Sequence, residues 1–181
     1  MIKDFLDEFT RYRTTGRKAI DQVSDDDLNK IFGDDNNSIA MIVRHISGNL
    51  ISRFTDFLDT DGEKPWRHRD REFETQNYSR SDVIRLWDDG WKLLEQELSS
   101  LTDPDLRKQV YIRGRAHSVH EALCRSAAHV AYHVGQIVLL ARILKGGDWR
   151  WISIPKGHSH EYNQNPTKEK DPAGTNSDTA H

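Results

Sequence analysis

His129 and His133 stand four residues apart in the run His129-Val130-Ala131-Tyr132-His133. On a helix that spacing stacks both imidazoles on one face, which suits two ligands of a single metal ion. Their neighbours are apolar, and a ring nitrogen among apolar groups is costly unless it finds a partner. Val, Ala and Tyr fill the gap between them, so the Glu that acts as general base in zinc proteases is absent and that chemistry is excluded. A third ligand has to come from another element. His45, in Ile42-Val43-Arg44-His45-Ile46, is the candidate, because it sits inside an apolar helical stripe. His68 falls in a charged linker, and His158, His160 and His181 fall in a polar tail. His117 and His120 flank the start of the helix that carries the pair. Any one of the three is more simply a core histidine bonded to a neighbour; the three together bring a metal centre level with that explanation. Three neutral imidazoles leave one coordination position open, the layout of catalytic rather than structural zinc.

An open position suits either water activation for hydrolysis or the holding of a thiol for transfer. Asn49, four residues after His45, and Gln136, three after His133, can face such a site as supporting or substrate-orienting groups, or can simply pack. Neither titrates, and no Asp or Glu shares the His129 stripe, which weighs against hydrolysis. The catalytic residues are therefore left unassigned. Arg53, Lys64, Arg67, Arg69 and Arg71, beside Trp66, could form a rim for an anionic substrate. Their balancing acids Asp61, Glu63, Asp70, Glu72 and Glu74 favour a solvated loop instead. Cys124 reads as a small buried filler rather than a nucleophile.

Four helical segments must position these residues. In the first, Ile2, Phe5, Phe9, Tyr12, Gly16, Ala19, Ile20 and Val23 recur at steps of three and four. Ser24 to Asp27 and Gly33 to Asn37 then break the pattern. The second helix is expected to begin at Asn37 or Ser38 and to run through Leu58, ahead of Asp61-Gly62. The linker from Trp66 to Tyr78 has no clear period. Ser79 and Asp82 cap the third helix, whose seam is Ile84, Trp87, Trp91, Leu94, Leu98 and Leu101. A hairpin or extended loop at Gln109–Ile112 and Arg115–Ser118 precedes the fourth. That helix opens with the capping box Ser118/Glu121 and closes at Lys145-Gly146-Gly147. It is apolar nearly all round, which predicts a central position.

The chain has 181 residues and a net charge of -3, with 35% hydrophobic and 30% charged residues. A mean hydropathy of -0.80 and a pI near 6.3 fit a very polar surface and a tail that does not pack. The expected division is a helical domain over residues 1–155 and a mostly disordered tail over 156–181. Acidic balance argues against a nucleic-acid partner. The absence of an unbroken apolar run of about 18 residues argues against a membrane span. The start of the chain lacks a secretion-signal layout, and a single cysteine forbids an internal disulfide; both fit a cytoplasmic location.

The segments 37–49 and 127–137, each carrying its share of the three histidines, resemble the DinB/YfiT-like superfamily, a bundle with one His on its second helix and His-x-x-x-His on its fourth. Residues 52–66 and 152–157 resemble an uncharacterised DinB-like subfamily, a domain of unknown function. The likeness covers about residues 1–155 and implies an all-α four-helix bundle. It also implies a divalent metal, commonly zinc or nickel, on His45, His129 and His133, often in a homodimer. Some superfamily members are thiol-dependent transferases or isomerases that take a low-molecular-weight thiol as cosubstrate. The leading expectation is thus a metal-dependent, thiol S-transferase-like protein, and the alternative is a non-catalytic homodimeric bundle with a structural metal. Phe5, Phe9, Tyr12 and the tryptophans offer apolar area for the dimer.

Overall fold

The computed structural model of the chain describes residues 1–166; the part of the expected disordered tail from 167 onward lies outside the described residues. Four long helices supply the core: α1 (Ile2–Ile20), α3 (Ile39–Phe54), α4 (Arg80–Ser100) and α5 (Val119–Lys145). Packing is chiefly α3 on α4 and α1 on α5, and α3 also meets α5, which brings their histidines together. Among the described residues the sheet content is one antiparallel ribbon, β1 (Gln109–Ile112) with β2 (Arg115–Ser118). The expected all-α class holds.

The caps act as the sequence predicts. Ser38 accepts from the Met41 backbone N–H at 3.2 Å. Ser79 with Asp82, and Ser118 with Glu121, close reciprocal capping boxes. The ribbon pairs Gln109 with Ser118 and Ile112 with Arg115, so its turn is Arg113-Gly114. Both turn residues have positive φ, 53° and 72°, as a two-residue hairpin requires. Asp61 anchors that turn, accepting from the backbone N–H of Arg113 at 2.8 Å and of Gly114 at 2.7 Å.

Several boundaries differ from expectation. Ser24 and Asp27 form their own capping box, so the acidic break after α1 contains the one-turn helix α2 (Asp25–Leu28), with Leu28 buried. The second predicted helix stops at Phe54 instead of Leu58, because Thr55 turns extended and Asp56 takes φ 48°. Phe57 still reaches the core, its ring centroid 5.0 Å from that of Phe54. The linker holds a 3-10 turn at Arg69–Phe73, too short to leave a helical period. Within the predicted tail, Ser159–Gln164 forms a short helix, α6.

α5 is not the enclosed central rod that its composition suggests. Although the sequence holds no unbroken apolar run of about 18 residues, the helix is by length and composition apolar enough to cross a membrane, and 28% of its most apolar stretch is buried. Ala122, Leu123, Val130, Val134, Ile137 and Ala141 face the core, whereas Tyr132, Leu139 and Ile143 are exposed. Of the aromatic residues expected to serve a dimer, Phe9, Trp87 and Trp91 are fully buried and Phe5, Tyr12 and Trp149 pack against the core, whereas Trp66 and Trp151 are exposed.

The α3–α4 contact depends on Gly90, where a Cβ would lie 2.9 Å from the Ser47 Cα. Since backbone cannot yield as a flexible side chain can, Gly90→Ala is expected to destabilise the fold by about 1–3 kcal/mol. Urea denaturation reads this as a lower midpoint with an unchanged slope; an unshifted midpoint contradicts so close an approach of the two helices.

Candidate metal centre

His45 projects from α3, and His129 and His133 project from α5, into one corner of the core. His45 and His133 are buried and His129 is partly so, and each ring offers one nitrogen within 4.8 Å of the other two. The Nε2 atoms of His45 and His129 are 3.1 Å apart. Ring centroids lie 4.7 Å apart for His45 and His133, and 4.6 Å for His129 and His133. Two nitrogens on a tetrahedral ion, each at about 2.0–2.1 Å, are separated by about 3.3 Å. The donor set and its spacing therefore suit a divalent metal.

The outward nitrogens of two rings are tied down. His45 Nδ1 meets Glu72 Oε2 at 2.7 Å, which leaves Nε2 for the centre. Glu72 is in turn held by Arg67, Nε to Oε1 at 2.8 Å and Nη2 to Oε2 at 2.9 Å. Burial alone would raise the Glu72 carboxyl, but the hydrogen bonds from His45 and Arg67 outweigh it and hold the group below its ordinary value. Glu72 fits against α3 because residue 48 is glycine: a Cβ there would fall 2.3 Å from Glu72 Oε1. His133 Nδ1 meets Gln136 Oε1 at 2.8 Å, so this nitrogen donates and Nε2 is free. Burial, reinforced by the neighbouring His133 and His45, pushes the His129 imidazole down to about 3. It lowers His133 as well. Both rings are thereby kept in the neutral form that ligates metal.

The cluster opens onto a cavity of about 330 Å³, lined also by Asn49, Arg53, Phe73, Ile112, Arg125 and Tyr132. Of the residues that the sequence suggested for the centre, the three histidines and Asn49 line the cavity, whereas Gln136 lies outside its lining and meets His133 Nδ1.

The linker departs most from expectation. Glu72 reads in the sequence as one of several balancing surface acids, yet it is 6% exposed and orients His45. The Arg67 side chain is buried where it pairs with Glu72. Lys64 is buried too, its Nζ donating to Thr60 Oγ1 at 2.7 Å. Arg53 lines the cavity, and burial together with the neighbouring Arg125 pushes its guanidinium down to about 10. Arg71 alone of these five cations is both exposed and away from the cavity. The one signal for this arrangement is Phe73 in an otherwise polar stretch; its ring centroid lies 4.7 Å from that of His45 and clamps the linker onto the site. Cys124 is exposed, not a buried filler, with Sγ 3.9 Å from the His120 ring. Five residues before His129, it sits about 140° around the helix from that histidine.

Residues 1–158 match the family described as protein of unknown function (DUF1572), and the chain belongs to that family. No curated protein and no solved structure matches it.

The depressed His129 sets a pH dependence for the metal-free chain. The unfolded ring titrates near 6.5 and the folded one near 3, so the unfolded state binds the extra proton between those values. Stability contributed by this group is full above pH 6.5 and is lost as the pH falls toward 3. The lowered Glu72 adds a loss in the same direction in the acid range. Thermal melts of chelator-treated protein are expected to decline below about pH 6.5, and less steeply in His129→Gln. A flat profile down to about pH 4.5, or equal slopes in both proteins, contradicts this.

Proposed function

We propose that this chain is a DinB-like four-helix bundle that binds one divalent metal, zinc or nickel, on His45, His129 and His133, with a position left open toward the cavity. The carrying observation is the convergence of three ring nitrogens within 4.8 Å, with two of the rings oriented from behind by Glu72 and Gln136. A bound divalent ion supplies Lewis acidity and a place for an oxygen or sulfur donor. Glu72 and Gln136 fix ring orientation and tautomer, Arg67 holds Glu72 charged, and Phe73 shields one face of His45.

The activity we propose is thiol-dependent transfer to a small molecule in the cavity. Proton removal from a thiol needs less help from a general base than attack by water does, and the nearby carboxylates are already engaged: Glu72 by His45 and Arg67, Glu63 by Arg113 at 3.1 Å. The same engagement supports a second reading, a metal that only stabilises the bundle. Pairing with a second copy is also proposed, through the stripe of α5 that exposes Tyr132, Leu139 and Ile143. Sedimentation at micromolar concentration is expected to give a dimer that Leu139→Asp splits; a wild-type monomer contradicts it.

Metal analysis of untagged protein tests the principal reading. About one ion per chain is expected, lost in His129→Ala while the helical circular dichroism signal is retained. Glu72→Gln is expected to weaken metal affinity by about 10–100-fold. A chain that neither carries nor takes up zinc, nickel or manganese contradicts the proposal. Removal of the metal by chelator is expected to lower the melting temperature on either reading. Metal-dependent turnover in a screen of thiol cosubstrates separates transferase from structural bundle.

A further inference from the structure

Arg53, near the end of α3, is 8% exposed, and its Nε and Nη1 are buried without a hydrogen-bond partner. Room for it is built into the fold: a Cβ at Gly62 would lie 2.9 Å from the Arg53 Cδ. Ser52 fixes that stretch by donating to the Gly62 carbonyl at 2.9 Å and accepting from the Lys64 N–H at 3.2 Å. Arg125, on α5 and lining the same cavity, acts on Arg53 as a like charge. Among the described residues neither guanidinium has an ion pair. Glu63 is the one acid that acts on Arg53 as a counter-charge, and it is itself paired with Arg113, while Glu72 is taken by Arg67. Burying a cation whose nearby counter-charge is engaged elsewhere is costly to a fold. Here the buried Arg53 is joined by the exposed Arg125 beside the three histidines, in a cavity whose other walls include Phe73, Ile112 and Tyr132.

We infer that the cavity takes a small organic oxyanion, a carboxylate or a phosphate ester, whose anionic head is held by Arg53 and Arg125 and whose apolar body lies along Phe73, Ile112 and Tyr132 toward the histidines. The planar fork of arginine matches either oxyanion with two parallel N–H donations. The placement of the reacting end at the histidines rests on the metal reading above, whereas the seat of the anionic head does not. Lys64 plays no part, because its ammonium is turned to Thr60 and the Asp61 carbonyl.

The test is calorimetric titration of inorganic phosphate and of succinate into the full chain, metal-free and zinc-loaded. Saturable binding at millimolar concentration or tighter is expected already without metal. It should weaken at least tenfold in Arg53→Met and severalfold in Arg125→Gln, with zinc uptake unchanged in both. Tighter binding of phosphate assigns a phosphate ester, and tighter binding of succinate assigns a carboxylate. Arg53→Met is also expected to melt at or above the wild-type temperature without ligand, because it removes an unpaired buried charge. If that variant fails to fold, Arg125→Gln, at an exposed position, decides: unchanged phosphate and succinate affinities overturn the inference. So does the lack of saturable binding to the metal-free wild type, or wild-type affinity in Arg53→Met. Binding that appears only with zinc and vanishes in His129→Ala also overturns it, placing the anion on the ion and leaving the metal reading intact. A chain that takes up no zinc but binds the anions through Arg53 has the opposite meaning.

Discussion

Three imidazoles crowded into one buried corner are the constraint around which the rest of this chain is arranged. Each ring carries two nitrogens, and a buried nitrogen without a partner costs about 1–3 kcal/mol. His45 and His133 each spend one nitrogen on a fixed neighbour, Glu72 and Gln136, and turn the other inward. The His45 and His129 nitrogens then face one another at 3.1 Å, closer than two neutral acceptors tolerate without a shared proton or cation. A contact of that kind needs helices that hold position to a fraction of an ångström. The close approach at Gly90 on α4 and the room that Gly48 leaves for Glu72 are two places where the fold provides that rigidity.

A second charge system grows out of the first. The linker after α3 returns a carboxylate to His45 and so carries Arg67 into the interior with it. The hairpin before α5 is tied to the same region through Asp61, which brings Arg113 over the cavity and onto Glu63. After these pairings the acids near the cavity are used, and Arg53 and Arg125 are left over. Polar residues that look interchangeable along the chain thus fall into two sets: pairs that hold the histidines, and cations that remain for something else.

The positions of the helices were legible because capping and periodicity are local. Ser38, Ser79 and Ser118 each start the helix expected of them, and Ile39 through Phe54 bury the predicted stripe. The three histidines were legible for the same reason, since helical spacing places them before any tertiary contact is known. Glu72 was not, because a 3-10 turn leaves no period and an acid among basic neighbours looks the same whether it is solvated or buried. The end of α3 at Thr55-Asp56 depends on a backbone reversal that no glycine or proline announces. The exposure of Cys124, Leu139 and Ile143 was hidden by composition: an apolar helix need not be covered on every side within its own chain.

The most direct measurement of the central claim is X-ray absorption at the metal edge of zinc-reconstituted, untagged protein. The account predicts three imidazole nitrogens at about 2.0–2.1 Å with one further light donor, and the loss of one imidazole in His45→Ala. A coordination shell dominated by sulfur or carboxylate, or a spectrum indifferent to the residue at position 45, would contradict it.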